Sequence, residues 1–224
     1  EDKERYQTVY AEHYGSVAAP TAGLHFTEEI LKQFPKKNIV ADFVTLHVSA
    51  GTFKPVSAEK MAEHKMHGEW INIRPATIQQ LIQQGGPITA VGTTSMRTLE
   101  TLYWLGVKSI LYPNEECRLG QWEVYDKKLT ETNIGKKEAL QALANRIGND
   151  ELVTDTELMI APGYTFRVVD ILITNFHQPK STLLLLVAAG IGADWKKCYD
   201  YALENDFRFL SYGDGSLLFF NKSK

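Results

Sequence analysis

The sequence predicts a mixed α/β fold in which a largely parallel sheet is flanked by helices within a single main domain. Segments rich in β-branched residues alternate with segments of helical spacing along all 224 residues, as is typical of α/β proteins. The segment VGTT at 91–94 places a glycine between a predicted strand and a predicted helix. No repeat, low-complexity run or shift in composition divides the chain, which favours one domain.

Local signals define the elements in chain order. Thr27 is a predicted N-cap whose helix ends before Pro35, and Pro75 suits the first turn of a second helix. Ser181 or Thr182 is the predicted cap of a later helix. The predicted helices cover residues 28–34, 75 to the glycine pair at 85–86, 95–105, 136–147, the segment after 182, and 195–204. The predicted strands cover residues 40–48, 70–73, 88–91, 167–174 and 216–220.

The bulk composition limits the classes of protein to consider. Hydrophobic residues make up 44% and charged residues 23% of the chain, which argues against disordered, collagen-like and coiled-coil classes. The net charge of −3 gives no global reason to expect nucleic acid, so any such contact must depend on local patches. Two cysteines, Cys117 and Cys198, are too few to stabilise the chain through disulfide bonds, which favours a reducing cytoplasm. The longest apolar stretch, 183–192, is about half of the roughly 20 residues that a membrane span requires.

Seven motifs carry a family resemblance. They are PTAGLHF at 20–26, LHVSAGTFKPV at 46–56, HKMHGE at 64–69, VGTTSMRTLE at 91–100, PGYTFRVVD at 162–170, LITNFHQPKSTLL at 172–184 and FRFLSYGD at 207–214. With these motifs in this order, the chain resembles the S-adenosylmethionine:tRNA ribosyltransferase-isomerase family from Tyr6 to Phe219. The resemblance implies that residues 1–224 form the α/β main body of such a protein. It also implies that an amino-terminal portion and a small inserted β-barrel domain lie outside this sequence.

The resemblance further implies a reaction. The ribosyl group of S-adenosylmethionine is transferred to the 7-aminomethyl-7-deazaguanine base of tRNA and isomerised, which gives epoxyqueuosine-tRNA, adenine and methionine. S-adenosylmethionine is then a ribosyl-donating cosubstrate, tRNA is the partner, the compartment is the cytoplasm, and no metal is expected. Such chemistry needs a base, an acid that assists the departure of adenine, and groups that hold the methionine end.

Histidines are the natural proton-transfer groups because their ordinary pKa lies near neutrality. The catalytic candidates are four histidines within the motifs, namely His25, His47, His67 and His177. A hydrogen-bonded structural role is an equally supported alternative for each of them.

The start of the helix after VGTT is a candidate binding site. The backbone N–H groups of Thr94 and Ser95 lack partners in a helical first turn and suit the carboxylate of methionine. Arg97 can pair with the same carboxylate through two hydrogen bonds, and Glu100 completes the substrate-binding candidates of this motif. The alternative is that the hydroxyl residues only cap the helix while Arg97 and Glu100 form a surface ion pair.

Asp170 is a further catalytic candidate, because a carboxylate within an apolar strand is costly unless it is paired or functional. Arg167 or His177 is its predicted partner. Asn175 is a predicted substrate-binding residue that stands with His177 at the end of this strand, beside Asp170.

The motif SYGD provides the last candidates for substrate binding, Tyr212 and Asp214. Asp214 suits ribose hydroxyls or an adenine amine, and ordinary turn chemistry is the alternative.

Two other functions stay open. Glu63, His64 and His67 place two imidazoles on one predicted helix face, and a further histidine from the motifs would complete a site for a metal-dependent hydrolase. This HxxH spacing is a weak signal because it differs from HExxH. A chain without an amino-terminal part is also compatible with a non-catalytic remnant that binds tRNA or a nucleoside.

Overall fold

The computed structural model describes residues 7–11, 19–47 and 68–220. The α-helices are α1 Glu28–Gln33, α2 Pro75–Gln83, α3 Thr93–Leu111, α4 Lys127–Thr130, α5 Lys136–Ile147, α6 Thr182–Ile191 and α7 Asp194–Glu204. The strands are β1 Thr45–His47, β2 Glu69–Ile73, β3 Thr89–Val91, β4 Leu152–Thr156, β5 Ile171–Asn175 and β6 Gly215–Phe219. Short 3₁₀ turns cover Thr21–His25, Pro35–Lys37 and Glu123–Tyr125. The predicted mixed α/β class is confirmed.

The strands form two three-stranded sheets. In the first sheet β2 lies between β1 and β4, and both pairings are antiparallel. In the second sheet β5 pairs parallel with β3 and antiparallel with β6. Antiparallel pairings thus outnumber parallel ones among the described strands, and the prediction of a largely parallel sheet is wrong. The direction in which a strand is paired depends on how the chain returns to the sheet, which the sequence of the strand does not encode.

Helix α3 lies at the centre of the hydrophobic core. Every residue from Met96 to Lys108 is buried, so the helix that the sequence predicts over 95–105 has no solvent-facing side there. It packs closely on α5 where Gly106 meets the backbone of Ala139, at a position with no room for a Cβ atom. Throughout the portion of the chain that the structure describes, no helix combines the length and apolar character needed to cross a membrane.

Two predicted strands are shorter than expected. Of residues 40–48, only Thr45–His47 is strand, and residue 48 lies outside the described residues. The strand predicted over 167–174 begins only at Ile171, because the N–H groups of residues 167–169 bind a buried carboxylate and not a neighbouring strand. β4 was not predicted, although its residues alternate between buried and more exposed positions.

The predicted helix caps are confirmed in two places. The Thr27 hydroxyl accepts from the Ile30 N–H at 3.3 Å. The Ser181 hydroxyl accepts from the Leu184 N–H at 3.1 Å, so Ser181, and not Thr182, caps α6. This cap fixes where the segment that follows β5 turns into helix.

Candidate functional site

Two parallel strands end side by side at one edge of the second sheet. Val91 of β3 is paired with Ile173 of β5, and the Gly92 N–H donates to the Ile173 carbonyl at 2.8 Å. The residues that follow both strands are thereby brought together, at the position where open α/β sheets usually bind ligands. We call residues 92–95 and 175–177 the strand-end cluster.

The amino terminus of α3 contributes backbone donors to this cluster. The first intrahelical bond joins the Met96 N–H to the Gly92 carbonyl at 3.1 Å, so the N–H groups of Thr93, Thr94 and Ser95 precede the helical ladder. Gly92 has a φ of 91°, a conformation that favours glycine. Because the positive end of the helix dipole lies here, this turn is suited to an anion.

Asn175 connects the cluster to His25. Its side chain is 2% exposed, and its Nδ2 lies 3.2 Å from His25 Nε2 and 3.3 Å from the Gly213 carbonyl oxygen. His25 itself is exposed and ends the 3₁₀ turn that packs on β5. The structure thus brings together two residues that were predicted separately, His25 as a catalytic and Asn175 as a substrate-binding candidate.

His177 lies in the interior of the cluster. It is 9% exposed, its Nε2 is 3.0 Å from the Thr174 hydroxyl, and its backbone N–H donates to the Tyr199 hydroxyl at 3.0 Å. Burial lowers the pKa of His177 from 6.5 to about 4, because an imidazolium ion is poorly solvated there. His177 is therefore neutral at physiological pH.

The lowered pKa of His177 predicts a pH-dependent stability. Below pH 6.5 the unfolded chain protonates this histidine while the folded chain does not until about pH 4. The stability that neutral His177 contributes is therefore fully present above pH 6.5. As the pH falls toward 4, the free energy of unfolding decreases by up to about 3 kcal/mol. We expect urea unfolding of the wild type to show this loss and that of His177→Gln to lack it. Parallel pH curves for the two proteins would contradict the assignment.

The strand-end cluster borders a broad cleft of about 1680 Å³. Its walls include Thr94, Ser95, Asn175 and His177. Its floor is the apolar face of the second sheet, formed by Ile171, Ile173, Leu217 and Phe219. An apolar surface with a few polar groups at one edge is the usual composition of a small-molecule site.

Tyr212 and Asp214 belong to the loop that leads into β6. Asp214 Oδ2 accepts from the Arg208 N–H at 2.7 Å, and Oδ1 accepts from the Arg208 guanidinium at 3.2 Å. These hydrogen bonds from Arg208 hold the pKa of Asp214 below its ordinary value. Asp214 thus closes a turn, as in the alternative interpretation of the sequence, while Tyr212 is 59% exposed.

Arg97 lies inside the core and not at the cleft. Its side chain is 3% exposed, and its guanidinium lies 3.7 Å from the Glu69 carboxylate and donates to the Thr156 carbonyl at 3.2 Å. We therefore exclude Arg97 from the site, since its guanidinium has no route to a substrate carboxylate.

Glu100 is fully buried and holds the chain just before β5. Oε1 accepts from the N–H groups of Val168 and Val169, each at 2.9 Å. Oε2 accepts from the Arg167 N–H at 2.9 Å and the Tyr164 hydroxyl at 2.8 Å. Burial raises the pKa of Glu100, and these hydrogen bonds oppose that rise. The alternative of a surface pair between Arg97 and Glu100 is wrong, because both are buried and bonded to other groups.

Asp170 lies at the opposite end of β5 from His177. Its Oδ2 accepts from the Ile88 N–H at 2.8 Å, which ties the start of β5 to that of β3. The predicted partnership with His177 is therefore wrong, because the whole strand separates the two residues. The Arg167 guanidinium lies over the rings of Tyr103 and Trp104. Asp170 is thus placed away from the strand-end cluster.

The remaining histidine candidates lie elsewhere. His47 ends β1 in the first sheet, is exposed, and borders the same broad cleft. His67, together with Glu63 and His64 of the metal alternative, lies outside the described residues. Among residues 7–11, 19–47 and 68–220, no three potential ligands are grouped as a metal site would require.

Sequence reasoning missed three contributors to the site: Thr174, Tyr199 and the Gly213 carbonyl. Thr174 was detectable as a polar residue at the end of an apolar strand. No local signal identifies Tyr199 or Gly213, because they reach His177 and Asn175 only through packing of separate segments.

Fold and site together define an α/β protein in which a cleft opens beside the carboxyl ends of two parallel strands. The family model described as "Queuosine biosynthesis protein" matches residues 1–218. The chain belongs to this queuosine biosynthesis protein family.

Several curated relatives carry the name S-adenosylmethionine:tRNA ribosyltransferase-isomerase. The chain is 41% identical to the protein of Treponema denticola over 222 residues, which cover 97% of the chain and 53% of the relative. It is 42% identical to the Rickettsia bellii protein, with 97% and 51% covered. The crystal structure of an S-adenosylmethionine tRNA ribosyltransferase from Thermotoga maritima is similar, with 32% identity and a TM-score of 0.55, over 88% of this chain and 50% of that one. The chain thus spans about half the length of the curated relatives it matches.

Proposed function

We propose that residues 1–224 form the α/β main body of an S-adenosylmethionine-dependent tRNA ribosyltransferase-isomerase. The reaction transfers the ribosyl moiety of S-adenosylmethionine to the 7-aminomethyl-7-deazaguanine base of tRNA and isomerises it to epoxyqueuosine, with release of adenine and methionine. S-adenosylmethionine acts as a cosubstrate, no metal takes part, and the reaction occurs in the cytoplasm, where tRNA is present. Family membership and the names of the relatives support this proposal.

One structural observation carries the proposal further: the amino terminus of α3 and the histidine-bearing end of β5 meet at the same edge of the cleft. The N–H groups of Thr94 and Ser95 suit the carboxylate of the methionine portion. The imidazole of His177 is unprotonated because its pKa is about 4, so it can accept a hydrogen bond or, as a weak base, a proton. The cleft can in this way bind an anionic group next to a basic one.

Release of adenine tests the proposed reaction. The protein is incubated with S-adenosylmethionine and tRNA that carries 7-aminomethyl-7-deazaguanine, and free adenine is quantified by chromatography. We expect adenine formation that depends on both substrates. Binding of tRNA without turnover would favour the binding remnant, and stoichiometric zinc in elemental analysis would favour the metal-dependent hydrolase.

A charge placed in the first turn of α3 tests the proposed carboxylate site. We expect Ser95→Asp to raise the KM for S-adenosylmethionine at least about 10-fold, because two carboxylates a few ångströms apart repel each other by more than the roughly 1.4 kcal/mol that this factor represents. Ser95→Asn is the matched control of nearly equal shape, and its KM is expected to stay near that of the wild type. Equal KM values for the two variants would place the carboxylate elsewhere.

A further inference from the structure

We propose that Asn175 is a positioning residue that holds His25 as the neutral Nδ1–H tautomer, so that His25 serves as a hydrogen-bond donor and not as a general base. The tautomer follows from the contacts of Asn175 alone. The role of this tautomer in catalysis rests on the proposed function.

The orientation of the Asn175 amide is fixed by the Gly213 carbonyl. A carbonyl oxygen only accepts hydrogen bonds, so the amide atom 3.3 Å from it must be the nitrogen, Nδ2. The opposite orientation would set two acceptor oxygens against each other. In the observed orientation Oδ1 is buried and has no donor among the residues that the structure describes. A buried, unsatisfied acceptor is costly, so an amide at this position needs a compensating role.

The fixed amide in turn selects the protonation state of His25. The same Nδ2 lies 3.2 Å from His25 Nε2, and an N–H group can donate only to a nitrogen with a free lone pair. The ring proton of neutral His25 is therefore on Nδ1. A proton on Nε2 of the neutral ring would place two donors face to face, which disfavours the Nε2–H tautomer.

The surroundings of the ring favour this arrangement. His25 lies against Gly215, where a Cβ atom would be 3.1 Å from Nε2, so the absence of a side chain lets the ring approach β6. Asp214 interacts electrostatically with His25, and both of its carboxylate oxygens accept hydrogen bonds from Arg208.

His25 and His177 are therefore expected to have different roles. His25 has no lone pair available for a proton unless its contact with Asn175 breaks, and its Nδ1–H can donate to an acceptor such as a purine ring nitrogen. His177, two residues after Asn175, is buried, and burial lowers its pKa to about 4. While the contact with Asn175 lasts, His25 can act only as a hydrogen-bond donor, and it is exposed beside the residues that line the cleft and is not one of them.

Nitrogen-15 NMR of the histidine rings tests the tautomer without any substrate. The signals of His25 in the 224-residue chain are assigned by their loss in His25→Gln. We expect a protonated, pyrrole-type Nδ1 and an unprotonated, pyridine-type Nε2 near neutral pH. A protonated Nε2, or an average of the two tautomers, would overturn the proposal.

Two variants show whether Asn175 is the cause. Asn175→Asp presents only acceptors to the ring, so the proton is expected to move to Nε2. Asn175→Leu removes the hydrogen bond and keeps the branching and the number of side-chain heavy atoms, and a mixture of tautomers is expected. If the aspartate variant does not fold, the leucine variant decides. An unchanged Nδ1–H signal in a folded leucine variant would mean that another group holds the tautomer.

Adenine release separates this inference from the proposed function. We expect Asn175→Leu to lower kcat about 10²-fold with little change in the KM for S-adenosylmethionine, as for a misplaced catalytic contact. A wild type with the Nδ1–H tautomer but no adenine release would contradict the proposed function and leave the tautomer standing. An active wild type with the Nε2–H tautomer would overturn only the role of Asn175.

Discussion

The variant Glu100→Gln is expected to lower the free energy of unfolding by about 3–5 kcal/mol, because it leaves buried donors without an acceptor. The carboxylate accepts four hydrogen bonds, two at each oxygen. A glutamine side chain keeps one oxygen and places an NH2 group where the other stood. If the amide nitrogen replaces Oε1, the N–H groups of Val168 and Val169 lose their acceptor. If it replaces Oε2, the Arg167 N–H loses its acceptor and the Tyr164 hydroxyl must turn its proton away.

Denaturation in urea, followed by circular dichroism, measures this loss. Glu138→Gln is the matched control, because Glu138 is exposed on α5 and its substitution is expected to stay within about 0.5 kcal/mol of the wild type. Tyr164→Phe removes one of the four hydrogen bonds to Glu100 and also the acceptor of the Trp104 indole N–H, and its cost is expected to be at least about 1.5 kcal/mol. A Glu100→Gln variant as stable as Glu138→Gln would show that the carboxylate is not the anchor.

The variant Gly106→Leu is expected to destabilise the protein by at least about 3 kcal/mol, because it overpacks the contact between α3 and α5. A Cβ atom at Gly106 would overlap the carbonyl group of Ala139. The overlapped atoms belong to the helix backbone, so no side-chain rotation relieves the contact and the two helices must separate. Separation opens gaps around Leu140 and Leu143, which are both fully buried.

Gly85→Leu is the control for this second variant. A Cβ atom at Gly85 meets nothing within 4 Å, so its unfolding free energy is expected to change by no more than about 0.5 kcal/mol. Thermal and urea unfolding of both proteins provide the comparison. A Gly106→Leu variant as stable as Gly85→Leu would show that α3 and α5 can move apart without loss.

Local chemistry made much of the fold predictable. Thr27 and Ser181 signalled helix starts because an N-cap acts on its own first turn, and both caps are present. β4 was missed, and the strand before Asn175 was predicted too long. In the second case the apolar run from Val168 continues the pattern of a strand, while its backbone N–H groups bind Glu100, a residue 68 positions away.

The candidate site was predictable only in part. The segments that contain Thr94, Ser95, Asn175 and His177 were identified as polar stretches after strands, and the structure brings them together. Arg97 and Glu100 follow Thr94 and Ser95 within the same motif, yet they face the core. Helical spacing determines which residues share a face, but what covers that face depends on the neighbouring segments.

The sequence by itself determined the family, through seven ordered motifs, and the helices whose caps and spacing are local. The tertiary structure alone decided which polar residues of those motifs meet at the cleft and which are buried as anchors. It also decided the neutral state of His177 and the contact of His25 with Asn175, since both arise from chain segments that are distant in sequence. The protonation state of a side chain depends on the groups around it. Packing determines which distant segments provide those groups.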